Sequence, residues 1–108
     1  HNLRILEGLT VEGDISGDWG VRVMKNAVVY GNIFAGADVL LEEGAWVYGS
    51  IFSQGSVRLG KGAGVGMPGE ISSLIARLNM ECAGENRVYG YVSAGTGGKL
   101  TGEEDEAP

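Results

Sequence analysis

Histidine is almost missing from this chain: the only one is His1, at the very start. That removes the usual general base and the commonest metal ligand from any interior site. Hexapeptide-type acyl transfer, zinc-dependent hydration and Ser-His-acid or Cys-His catalysis are therefore not expected. Cysteine is equally scarce. Cys82 stands alone, so no intrachain disulfide can form, and its setting in LNMEC fits a small buried apolar residue. Basic residues are few, 8 against 14 acidic ones, for a net charge of −6, which argues against nucleic acid as a partner. No apolar run reaches the roughly 18 residues of a membrane-spanning helix, and the opening HNLRILEGLT lacks the apolar stretch of a secretory signal.

Glycine, by contrast, is abundant, at 20 of 108 residues, without the strict triplet period of collagen. The 44% hydrophobic content suits a packed core. Four acids cluster in Glu103, Glu104, Asp105 and Glu106, so 101–108 reads as a solvated, disordered acidic tail.

The strongest signal is an internal repeat. Val-Tyr-Gly-Asn-Ile-Phe at 29–34 returns as Val-Tyr-Gly-Ser-Ile-Phe at 47–52, an offset of 18. Val-Glu-Gly-Asp-Ile at 11–15 lies one step earlier, Val65-Gly66 one step later, and Val-Tyr-Gly-Tyr-Val at 88–92 follows with five extra residues. The same step aligns Leu3, Val21, Val39 and Val57; Ile5, Val23, Leu41 and Leu59; and Leu9, Ala27, Ala45 and Ala63. Within each repeat the apolar residues alternate, which means strands, and β-branched residues dominate the inward positions.

Short strands at a fixed 18-residue period predict an all-β, single-stranded β-helix (a β-solenoid) of about five to six coils. Each coil buries its inward residues only by stacking on its neighbours. The period also divides into hexads, from Val11 through Val29 and Leu41 to Val65, so spacing by itself fits either hand. Regular coils cover 3–65, an irregular coil 66–87 and a final coil 88–100. Residues 66–87 admit two readings. A bulged coil would turn Ile71 and Leu78 inward and match Met80 to Leu59. A short helix would use the helical spacing of Ile71, Leu74, Ile75 and Leu78. The clean return of the motif at Val88 favours the coil.

With VYGNIFAGADVLLEEGAWVYGSIFSQGSVRLGKGAGVG laid out, the chain resembles the bactofilins, polymer-forming cytoskeletal proteins found chiefly in bacteria. The likeness rests on V-x-G-x-I motifs followed by an alternating strand and a Gly-Ala or Gly-Val corner, over 3–65 and again over 88–92. The opening LEGLTVEGDI is also similar. The resemblance implies a right-handed, roughly triangular β-helix. It also implies end-to-end polymerisation without nucleotide, and filaments that act as scaffolds for envelope or cell-shape proteins. Its implied location is the cytoplasm, at the inner face of the membrane through flanking segments or partners. These residues hold no counterpart of the short membrane-targeting segment of many members, so direct membrane binding is not expected of them.

A solenoid end exposes unpaired strand edges and a cross-section of core, which template further pairing. Stable solenoids usually carry a polar cap, and no polar cap is evident around Leu3 and Ile5. The expected end-to-end interface is therefore Leu3, Ile5 and Leu9 at one end and Val88, Val92 and Leu100 at the other. Outward columns stack Tyr48 on Tyr30, Phe52 on Phe34 and Trp46 on Val28. These six residues are the candidate lateral or partner face, which a solenoid module of a larger envelope or surface protein would use for binding. A closed trimer of noncatalytic hexapeptide type is a further alternative. Gly64-Val-Gly-Met-Pro-Gly69 matches a dinucleotide fingerprint only in spacing, with Pro68 inside the turn and no βαβ context. No catalytic residue, cofactor or metal site is expected, and Glu12, Asp14 and Asp18 read as solvated surface.

Overall fold

The computed structural model describes residues 2–95 and the backbone of 104–106. Every regular element among them is a β-strand. Each coil lays down three short strands, one on each of three faces. The first coil has β1 (Asn2–Ile5), β2 (Thr10–Glu12) and β3 (Ile15–Gly17). The second has β4 (Gly20–Val23), β5 (Val28–Tyr30) and β6 (Ile33–Ala35); the third has β7 (Val39–Leu41), β8 (Trp46–Val47) and β9 (Ile51–Ser53). The fourth has β10 (Val57–Leu59), β11 (Gly64–Val65) and β12 (Ser72–Ala76). The fifth has β13 (Met80–Cys82), β14 (Asn86–Val88) and β15 (Gly90–Ala94), and β16 (Glu104–Glu106) follows.

Strands stack in three parallel sheets, β1-β4-β7-β10-β13 (sheet A), β2-β5-β8-β11-β14-β16 (sheet B) and β3-β6-β9-β12-β15 (sheet C). The chain is thus an all-β solenoid of about five turns. Register follows the sequence period: Leu3 pairs with Val21, Val21 with Val39, and Val39 with Val57. The inward columns form one continuous core, in which Val23, Val29, Ile33, Leu41, Val47, Ile51 and Val65 are fully buried. Each such side chain contributes about 1.5–3 kcal/mol on burial.

The glycine of the V-x-G-x-I motif has a steric cause. A Cβ on Gly31 would sit 2.2 Å from the carbonyl oxygen of Gly13, and one on Gly49 would sit 2.3 Å from that of Gly31. At this corner, between sheets B and C, successive coils touch backbone to backbone. The corner between sheets A and B turns through positive φ in every coil, at Gly8, Asn26, Gly44, Gly62 and Glu85.

The irregular stretch is a coil, not a helix, and its irregularity is confined to one corner. β12 pairs with β9 through Leu74 and Ile51, and β13 pairs with β10 through Met80 and Val57. The offset changes from 18 to 23 in a single step between β11 and β12. Met80 therefore matches Val57, and Cys82 matches Leu59. Ile71 and Leu78, expected inward, point to solvent at 77% and 44% exposure. A bulge inside a strand would break a parallel ladder, whereas a longer corner loop costs little closure entropy. Within the acidic stretch expected to be disordered, Glu104–Glu106 pairs in parallel with β14.

Candidate functional site

The expected end-to-end residues divide by exposure. In the first coil Leu3 and Leu9 are open to solvent, at 36% and 50%, while Ile5 is buried. β1, β2 and β3 each have one strand neighbour. Trp19 joins this end without having been expected there. The inward column Ala35, Ser53 and Ala76 starts with Gly17, and a Cβ on Gly17 would lie 1.9 Å from the Trp19 ring. The indole thus fills the space that a side chain at 17 would take. The bare Gly17 two residues before a tryptophan was the only sequence signal. At the other end Val92 is 40% exposed, whereas Val88 is buried and its strand is paired by β16. Leu100 lies outside the described residues.

The six expected lateral residues form two ladders on different faces. On sheet B the Tyr30 and Tyr48 rings stack at 4.8 Å, nearly parallel, and Trp46 tilts against Tyr48 at 6.2 Å. Val28 pairs with Trp46 in adjacent strands. Trp46 Nε1–H donates to the carbonyl of Gly66 at 2.7 Å, and the indole covers Gly64, where a Cβ would be 2.3 Å from the ring. On sheet C the Phe34 and Phe52 rings stack at 5.2 Å. Ile75 continues this column beyond Phe52.

Between the two ladders runs a polar spine that begins at Asp14, expected as solvated surface. Asp14 Oδ1 accepts from the backbone N–H of Asn32 at 2.9 Å and from its side-chain amide at 3.2 Å. Asn32 Oδ1 accepts from Ser50 N–H at 2.7 Å, and Ser50 Oγ accepts from Ser73 N–H at 2.9 Å. A second spine at the corner between sheets C and A runs from Asp38 through Ser56 to Asn79. Short polar residues at the 18-residue step were the available signal. Asp14 and Asp38 thus satisfy backbone N–H groups of the next coil.

Sheet A is the charged face. Its outward column is Arg4, Arg22, Leu40, Arg58 and Glu81, in which Leu40 separates Arg22 from Arg58 but Arg4 and Arg22 are direct neighbours. Arg22 pairs with Glu42, and Arg58 with Glu81 at 3.4 Å. At the neighbouring corner Lys25 meets Glu43 and Lys61 meets Glu85, each at 3.9 Å. A hollow on this face is lined by Arg22, Asp38, Leu40, Ser56, Arg58 and Glu81, and at its edge Ser56 N–H donates to Asp38 Oδ1 at 2.8 Å.

Among the described residues no His, Cys, Asp and Glu cluster is arranged to hold a metal ion, and no helix is long and apolar enough to cross a membrane. No protein-family model, curated protein or solved structure matches this chain.

Proposed function

We propose that this chain is a structural, self-assembling subunit of bactofilin type, which stacks end to end into nucleotide-independent filaments that act as a scaffold. The observation that carries this reading is the make-up of the first coil. Leu3, Ile5, Leu9, Val11 and Ile15 repeat the inward residue types of interior coils, and Leu3 and Leu9 stand open to solvent there. A second rod seated there would continue the parallel ladders and cover Leu3 and Leu9. The role requires neither catalysis nor a cofactor. Its partners are further copies of the chain and envelope or cell-shape proteins, in the cytoplasm or at the inner membrane face through flanking segments or partners.

Negative-stain electron microscopy of the protein with its native flanks, near physiological salt and without nucleotide, tests the reading. Long filaments a few nanometres wide are expected. Leu3→Lys with Leu9→Lys should shorten or abolish them while circular dichroism stays unchanged. These exposed positions suit the test better than buried Ile5. Discrete monomers at every concentration would overturn it.

A second reading rests on the aromatic ladders. Tyr30 and Phe34 remain 49% and 41% exposed, enough to serve a β-solenoid binding module of an envelope or surface protein. It requires monomeric rods and quenching or enhancement of Trp46 fluorescence by an envelope protein or glycan fragment.

A further inference from the structure

The three faces differ in what they present outward. Sheet A is ion-paired, and sheet B ties Trp46 to the Gly66 carbonyl. The central outward column of sheet C reads Ser16, Phe34, Phe52, Ile75 and Ser93. It is uncharged throughout, apolar in its middle and the same in type from either end. Phe34 and Ile75 are 41% and 39% exposed, and Phe52 is half-buried. Charges flank it unevenly. Asp14 and Asp18 lie beside its first-coil end, and Arg77 lies beside its fourth-coil level, with Glu70 on the adjoining corner loop.

We propose that sheet C is a lateral contact for a second copy of this chain, packed face to face and antiparallel about a two-fold axis at the third coil. The axis sets Phe52 against Phe52 of the second copy, Phe34 against its Ile75, and Ser16 against its Ser93. It also brings Asp18 within reach of the other copy's Arg77, and Asp14 near its Tyr91 hydroxyl. A parallel arrangement would instead set Asp14 against Asp18 of the second copy, a like-charge contact. Self-complementarity of this kind is what an isologous interface demands.

The face is five strands tall, about 24 Å at ~4.8 Å per strand. Two such narrow faces fall at the low end of specific interfaces, so single rods pair weakly. Rods joined end to end repeat the contact in every subunit and pair firmly. That reinforcement rests on the end-to-end assembly proposed above, whereas the contact itself does not.

Brief oxidation of single-cysteine variants reads the contact directly. Gln54→Cys places a thiol beside the axis, and Arg58→Cys on sheet A is the control; buried Cys82 is common to both. Gln54→Cys should give disulfide-linked dimer about tenfold faster than Arg58→Cys, and Phe34→Arg added to it should remove that advantage. Ser16→Cys should not link to itself but should link when mixed with Ser93→Cys. Equal rates for Gln54→Cys and Arg58→Cys, or self-linking of Ser16→Cys, would overturn the proposal. Filaments of the unsubstituted protein without Gln54→Cys linkage would sink the lateral contact alone. Linkage without filaments would sink the end-to-end reading and leave the lateral one standing.

Discussion

Asn86 and Ser53, two of the three buried polar residues among those described, stand in inward columns where the interior coils carry small apolar ones, and each brings its own partners. Asn86 follows Ala27, Ala45 and Ala63 in their column yet is buried. Its Oδ1 accepts from Gly84 N–H at 2.8 Å, and its Nδ2 donates to the carbonyls of Gly60 at 2.7 Å and Ala63 at 2.8 Å. Asn86→Ala restores the column residue but leaves those groups without that amide. It should cost about 1–3 kcal/mol in urea unfolding, although an alanine is native in three other coils. Ser53 is handled in the same way, donating to the Ala37 carbonyl at 2.8 Å and accepting from Gly55 N–H at 3.0 Å. Trp19 supplies the other residue-scale test. Gly17→Ala puts a methyl where the indole lies, so the ring must swing out. In a Trp46→Phe background the emission should shift to longer wavelength. An unchanged spectrum would mean that the indole does not fill that space.

At the scale of the element, the corner loop between β11 and β12 is an insertion that leaves every ladder intact. Ser72 already shares the column of Gly31, Gly49 and Gly90, and removing Met67 to Ile71 would restore an 18-residue coil but force Ser72 into the tight corner that those glycines make. There a Cβ meets the backbone of the neighbouring coil, at 1.9 Å from the Ser72 carbonyl oxygen in the case of Gly90. The deletion alone should therefore lower the melting temperature, and the deletion with Ser72→Gly should recover most of the loss. Equal melting temperatures for the two variants would refute this steric account. The ion pairs that bridge coils on sheet A and at its corner with sheet B are solvent-exposed. Glu43→Gln or Glu81→Gln should each change stability by no more than ~1 kcal/mol, and by less still in 1 M salt, where screening acts within ~3 Å. The coils are held by their core and ladders, not by that charged seam.

For the whole molecule, nearly all contacts join one coil to the next, as in any solenoid. Five coils at ~4.8 Å give an axial rise of about 24 Å, beside overall extents of 29 × 26 × 22 Å. If rods stack without a gap, aligned filaments should diffract at ~4.8 Å along the fibre axis. Their subunit repeat should be a whole number of coil spacings, five or six. A repeat well beyond 29 Å would mean that the rods meet through something other than continued ladders. The measurement also separates ladder continuation from looser contacts that electron micrographs alone would not distinguish.

The period and the identity of the inward columns were set by the sequence itself. Identical residues 18 positions apart can share one environment only if the chain returns above itself at that step. The same logic stacks Tyr48 on Tyr30 and Phe52 on Phe34, because equivalent positions in a parallel ladder lie ~4.8 Å apart. Only the tertiary structure decided where the five extra residues go. Periodicity counts them but does not say whether a strand or a corner absorbs them, and ladder hydrogen bonding selects the corner. The structure also put the tyrosine and phenylalanine ladders on separate faces, since the turn at Gly31 and Gly49 reorients the chain between them. It made Asp14 a link in a spine of side-chain acceptors for backbone N–H groups and drew Trp19 over Gly17. Both follow from the meeting of adjacent coils in space, and that proximity belongs to the folded rod.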